Sequence, residues 1–104
     1  MVDSATLEKL VTDALQSVYD PEIPVNIHEL GLIYGVTADP DGTVAIRMTL
    51  TAPGCPAAQS LPVEVEERAR AVAGVRDVRV DVVFDPPWCP DMMSEAAKLQ
   101  LGFL

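Results

Sequence analysis

At 104 residues the chain has room for a single domain, residues 1–104, built around one core. Apolar residues at 49% and charged residues at 22% exclude a disordered chain, and a formal net charge of −9 excludes a counterion-displacing grip on nucleic acid. No stretch approaches the roughly 18 apolar residues of a membrane span, and Met1-Val2-Asp3-Ser4 lacks a basic-then-apolar leader, so a cytoplasmic protein with no membrane partner is expected.

From Leu7 the apolar residues Leu10, Val11, Ala14, Leu15 and Val18 recur at helical spacing, with Ser4 placed to cap the helix. This first helix should end before Asp20-Pro21, because proline disfavours a helical conformation in the residue before it. Asp20-Pro21-Glu22-Ile23-Pro24 then reads as an ordered loop. Residues 32–37 and 43–50 are strand-like and flank the turn former Asp39-Pro40-Asp41-Gly42, which predicts a hairpin.

A second helix is predicted from Pro56 to Ala73, with Leu61, Val65, Ala69 and Val72 on one side and a kink or restart at Pro62. Gly74 stops it, and the β-branched run from Val75 to Phe84 predicts a third strand ending at Asp85-Pro86-Pro87. Ser94 can cap a short last helix containing Ala97, Leu99 and Leu101. The order α-β-β-α-β-α predicts an α/β (α+β) fold, a small mixed three-stranded sheet with helices packed on it. A crossover from strand two to strand three should be parallel and right-handed, while the neighbour of strand three stays open between strands one and two.

Chemistry is most legible at Thr49-Leu50-Thr51-Ala52-Pro53-Gly54-Cys55-Pro56, where a buried strand turns through glycine and proline and sets a cysteine at a helix start. Unpaired amides and the positive end of a helix dipole favour the thiolate, the form that attacks electrophiles and binds metals. The alternative is that Cys55 is a small buried apolar side chain, and no nearby histidine completes a nucleophilic pair. Cys89 follows 34 residues later with no Cys-x-x-Cys near either thiol, so the signature of a structural zinc or single-chain cluster site is missing. A homodimer could furnish four cysteines between two protomers, an assembly partner could complete the set, or Cys89 could be inert.

In the proline-stiffened segment Asp85 to Glu95 the sole tryptophan, Trp88, is either a partner-docking surface or a core cover, and Met92 and Met93 read as gap fillers. His28 reads as a surface or hydrogen-bonded residue before a metal ligand. Asp20 and Glu22 can brace their turn or take part in a partner contact.

The series Asp20-Pro21-Glu22, Glu29-Leu30-Gly31-Leu32-Ile33-Tyr34, Met48-Thr49-Leu50-Thr51 leading to Cys55-Pro56, then Asp85-Pro86-Pro87-Trp88 with Met93-Ser94 resembles the SufT family. That family shares its domain with PaaD of phenylacetate degradation and the eukaryotic cytosolic iron-sulfur targeting factor. The resemblance covers nearly the whole chain in unbroken order. It implies a non-enzymatic accessory role in iron-sulfur cluster assembly, with the cysteine matching Cys55 as the functional residue. No stably bound cofactor is implied, only transient iron or an iron-sulfur cluster. The partners implied are assembly scaffold or carrier proteins and client apo-proteins.

Two departures narrow this. PaaD proteins continue into a cysteine-rich region whereas this sequence stops at Leu104, which makes oxygenase maturation less expected, and the family commonly has threonine or another small residue at the position of Cys89. Two other readings stand beside the first: a metal-free adaptor joining scaffold to client through its acidic surface and Trp88 loop, and a thiol redox protein with Cys89 resolving Cys55.

Overall fold

The structure, a computed structural model, describes residues 3–19, 25–50 and 60–102. Its elements are α1 (Ser4–Leu15), β1 (Ile33–Ala38), β2 (Thr43–Met48), α2 (Leu61–Arg70), β3 (Asp77–Val82) and α3 (Glu95–Leu101), with a 3-10 turn at Pro90–Met92 before α3. The α-β-β-α-β-α order and the mixed sheet are those the sequence predicts. Strand three lies beside strand two: the sheet order is β1-β2-β3, antiparallel between β1 and β2 and parallel between β2 and β3.

Helix α1 buries Leu7, Val11 and Leu15, one residue per turn on a single face. Ser4 is not its cap. The helix starts at Ser4, and Asp3 accepts the Thr6 N–H at 2.7 Å, a bond that holds the Asp3 carboxyl below the usual carboxylate range. The helix also stops at Leu15, short of the expected end, where Ser17 and Val18 bond back three residues to Ala14 and Leu15 and tighten the chain. Val18 is fully buried all the same.

In α2, Pro62 falls in the first turn, where its missing N–H costs nothing, so no kink is needed. Residues 56–59 of the predicted helix lie outside the described residues. Val72, expected inside the helix, sits in the turn that follows it, and Gly74 carries a φ of +98°. The strands are shorter at their ends than predicted. Thr49 and Leu50 lie beyond the last β2 pair, and Arg76 donates to the hairpin carbonyl of Gly42 at 2.8 Å before β3 begins. The Ser94 cap of α3 holds, with Ala97 N–H donating to its hydroxyl at 3.1 Å.

Helices α1 and α2 touch each other and the sheet, so both cover one face of it. Val44, Ile46, Met48 and Val78 point into that layer and meet Leu7, Val11, Leu15, Leu61, Val65 and Ala69. Each fully buried leucine or valine there contributes on the order of 1.5–3 kcal/mol. The alternate residues Thr37, Arg47, Arg79 and Asp81 are exposed on the other face. Among the described residues no helix is long and apolar enough to cross a membrane.

Candidate functional site

One end of the sheet gathers the segments that the sequence singles out. Met48, the last residue of β2, is opposite the first residue of β1, Ile33, and the last of β3, Val82. Thr49 donates to Leu32 O and Val83 to Met48 O, each at 2.8 Å, so the chain leaves β2 and β3 at their carboxyl ends, side by side. From β2 it continues through buried Thr49 and Leu50 toward residues 51–59, and from β3 into the loop 83–94.

The floor of this end is the turn from Asn26 to Leu32. Asn26 Oδ1 accepts the Glu29 N–H at 2.9 Å, and Leu30 and Leu32 donate to the carbonyls of Asn26 and Ile27. The turn closes at Gly31 with a φ of +80°, and a Cβ there would collide with the backbone of Met92. Glycine is therefore required twice, for the left-handed backbone and for the approach of the second loop.

That loop is bound to the floor and to the start of β1 by contacts far apart in sequence. Trp88 Nε1 donates to Leu30 O at 2.7 Å, and the half-buried indole packs against the core. The Ser94 amide donates to Glu29 O at 2.9 Å, and its hydroxyl donates to the Glu29 carboxylate. Tyr34 Oη donates to Pro86 O at 2.8 Å, with Met92 Sδ 3.5 Å from the same hydroxyl. Gly31, Ile33, Tyr34, Arg47, Pro86 and Met92 line a shallow depression of about 490 Å3 beside the loop.

The sequence-predicted site residues are distributed as follows. Cys55, Asp20 and Glu22 lie outside the described residues. Trp88 is half-buried with its one donor satisfied, while Cys89 beside it is a free, exposed thiol at the start of the 3-10 turn. Met93 is buried and Met92 exposed. His28 is exposed, with Nδ1 4.0 Å from Glu29 Oε1. Among the described residues no three His, Cys, Asp or Glu side chains come together in a metal-binding group. Glu29, Tyr34 and Ser94 are the organising residues that sequence reasoning passed over as contacts. For Glu29 and Tyr34 the only signal was membership of the quoted motifs, because their partners are 65 and 52 residues away, while Ser94 was legible only as a helix cap.

A mixed sheet with two helices on one face and a glycine-seated, tryptophan-anchored loop at one end defines a small α+β domain with its distinctive residues at the carboxyl ends of a parallel strand pair. The chain belongs to the iron-sulfur cluster assembly protein family, whose model matches residues 8–98. It is 52% identical to an Fe-S protein maturation auxiliary factor of Porphyromonas gingivalis, over 93% of this chain and 92% of that one. It is 40% identical to the Fe-S protein maturation auxiliary factor SufT of Staphylococcus aureus, over 82% and 97%. An iron-sulfur cluster carrier protein of Mycobacterium tuberculosis is 32% identical over 91% of this chain, a match that spans 23% of the carrier. Among solved structures, a domain of unknown function from Bacillus anthracis superposes with a TM-score of 0.92 at 38% identity, covering 97% of this chain and 96% of that one.

Proposed function

We propose that this protein is an accessory factor in the maturation of iron-sulfur proteins, acting in the cytoplasm and without catalytic turnover of its own. Cys55 is its working residue, holding iron or a nascent cluster in passing or touching the carrier that does. The supporting observation is the position of Cys55 in the chain. It follows buried Leu50 by five residues and precedes Ser60, at the head of α2, by five, on the segment that departs from the carboxyl end of a parallel strand. In open α/β sheets that is the edge where ligands are handled. The loop carrying Trp88 and Cys89 leaves the same edge from β3.

A thiolate in the segment that leads from β2 to α2 is a soft ligand for iron and can pass its cargo on by ligand exchange. Cys89 is a second thiol in reach of the same end. Asp20 and Glu22, in the stretch between Tyr19 and Val25, and the exposed rim of the Trp88 loop serve as the contact surface for the partner. A carrier is the favoured partner because the M. tuberculosis carrier includes a segment matching 91% of this chain.

Replacement of Cys55 tests the reading. Cys55→Ala should leave the unfolding free energy within about 1 kcal/mol of the native value while iron-sulfur client enzymes lose activity in cells carrying it. Normal client activity with that variant would defeat the proposal. Anaerobic reconstitution with iron and sulfide then separates cargo handling from a metal-free adaptor, since only the former gives visible absorption that disappears with Cys55→Ala.

A further inference from the structure

The two edges of the sheet are finished differently. On β1 the pairing register shifts between Ile33 and Gly35, and Glu8 of α1 accepts the Ala38 N–H at 3.0 Å, so that edge is bulged at one end and capped at the other. On β3 all six residues pair with β2 in unbroken register, and no described element lies beyond it. Because Val83 N–H points to Met48 of β2, alternation places the backbone groups of residues 79 and 81 toward β2 and those of Val78, Val80 and Val82 outward. The Val78 N–H confirms the direction, donating at 2.9 Å to the side chain of Asp77 and not to β2.

We propose that β3 pairs antiparallel with β3 of a second copy of this chain about a two-fold axis at Val80, joining two sheets into one of six strands. This surface is independent of the iron-sulfur reading. The charges select the register. With the axis at Val80, the outward groups of Val80 meet their own copies and those of Val78 meet Val82, giving six main-chain hydrogen bonds, two of them made by Val78 N–H groups that exchange their bond to Asp77 for one to the second copy. Arg79 then stands directly opposite Asp81 of the second copy, and Asp81 opposite its Arg79, on the open face of the sheet. An axis at residue 79 sets arginine against arginine and Asp77 against Asp81, and an axis at residue 81 sets aspartate against aspartate. Within the chain Asp77 is already 3.0 Å from Arg70, whereas Arg79 and Asp81 have no ion-pair partner among the described residues.

A strand pair of six residues is small beside the roughly 1,000 Å2 of a lasting interface, so the association is weak and reversible. The test is sedimentation equilibrium at about 0.15 M salt with reductant, up to on the order of 1 mM protein. The native chain should dimerise, and slowed exchange should appear at the Val78, Val80 and Val82 amides as concentration rises. Arg79→Asp and Asp81→Arg should each weaken the dimer at least about tenfold. An equimolar mixture of the two should restore it, because every cross-strand pair is then one aspartate and one arginine. Net charge alone makes the opposite forecast for Asp81→Arg, which takes the chain from −9 to −7 and so reduces repulsion. A native chain that stays monomeric at the highest concentration overturns the proposal. So does a dimer indifferent to both charge reversals, a mixture that fails to recover, or pairing of this edge only with a strand from another protein.

Discussion

At the hairpin end of the sheet Gly42 turns with a φ of +93° under the carbonyl of Gly74, and at the opposite end Gly31 turns with a φ of +80° under the backbone of Met92. The device is the same and its reach is not. Around Gly42 the bonds are mostly local: Asp39 with Thr43, Thr43 with Asp41, and one link to Arg76 of the next loop. Around Gly31 the seals join the turn 26–32 and the start of β1 to the loop 83–94, across Glu29–Ser94, Leu30–Trp88 and Tyr34–Pro86. The hairpin end closes the sheet. The Gly31 end positions the loop that carries Trp88 and Cys89, at the edge from which the Cys55 segment departs.

Substituting both glycines is the sharpest way to break that comparison. Gly31→Ala places a methyl against three backbone and side-chain atoms of Met92 and should cost about 2–4 kcal/mol in urea denaturation, with client maturation impaired as the loop is displaced. Gly42→Ala meets Gly74 O at 2.8 Å and should cost about 1–3 kcal/mol while sparing maturation, because nothing at that end belongs to the proposed site. Equal maturation defects in two variants matched for stability would erase the distinction between the ends.

Next in size, Trp88→Phe keeps a ring against the core but leaves the carbonyl of buried Leu30 without its donor, an expected loss of about 1–3 kcal/mol by the same measurement. A loss below a few tenths of a kcal/mol would show that the loop is held by its other contacts alone.

The smallest effect belongs to the hairpin. Its Asp41 carboxyl is held below the usual range chiefly by the Thr43 N–H, so the folded pKa is lower than the unfolded one near 4. The stability this contributes is present above the unfolded pKa and is lost as pH falls through the folded value. Thermal midpoints of the native chain and of Asp41→Asn should therefore differ more at pH 6 than at pH 3. A constant difference would remove the carboxylate from the account.

Most of the fold was legible because its signals are local. The apolar spacing of α1, the Asp39–Gly42 turn and the cap at Ser94 each act within a few residues, whereas Pro62, expected to kink or restart a longer helix, lies in the first turn of α2. Ser4 misled because serine and aspartate both cap helices, and only coordinates show that the Asp3 oxygen reaches the Thr6 amide. Which strand lies beside β3 could not be read, since parallel pairing depends on a crossover of many residues and leaves no turn signature. At the candidate site, the cysteine and tryptophan segments announced themselves by composition. The residues that hold them in place did not, because Gly31, Glu29 and Tyr34 act on partners more than fifty residues away. The structural setting of Cys55 itself lies outside the described residues.

The anchoring of Trp88 leaves the molecule with a built-in optical gauge. It is the sole indole in the chain, half-screened from water and tied to a main-chain oxygen of the opposite segment, so the wavelength and intensity of its fluorescence follow the seating of that loop alone. Were iron or a carrier to bind at this edge as proposed, its arrival would be watched by emission from the native protein, with no label attached.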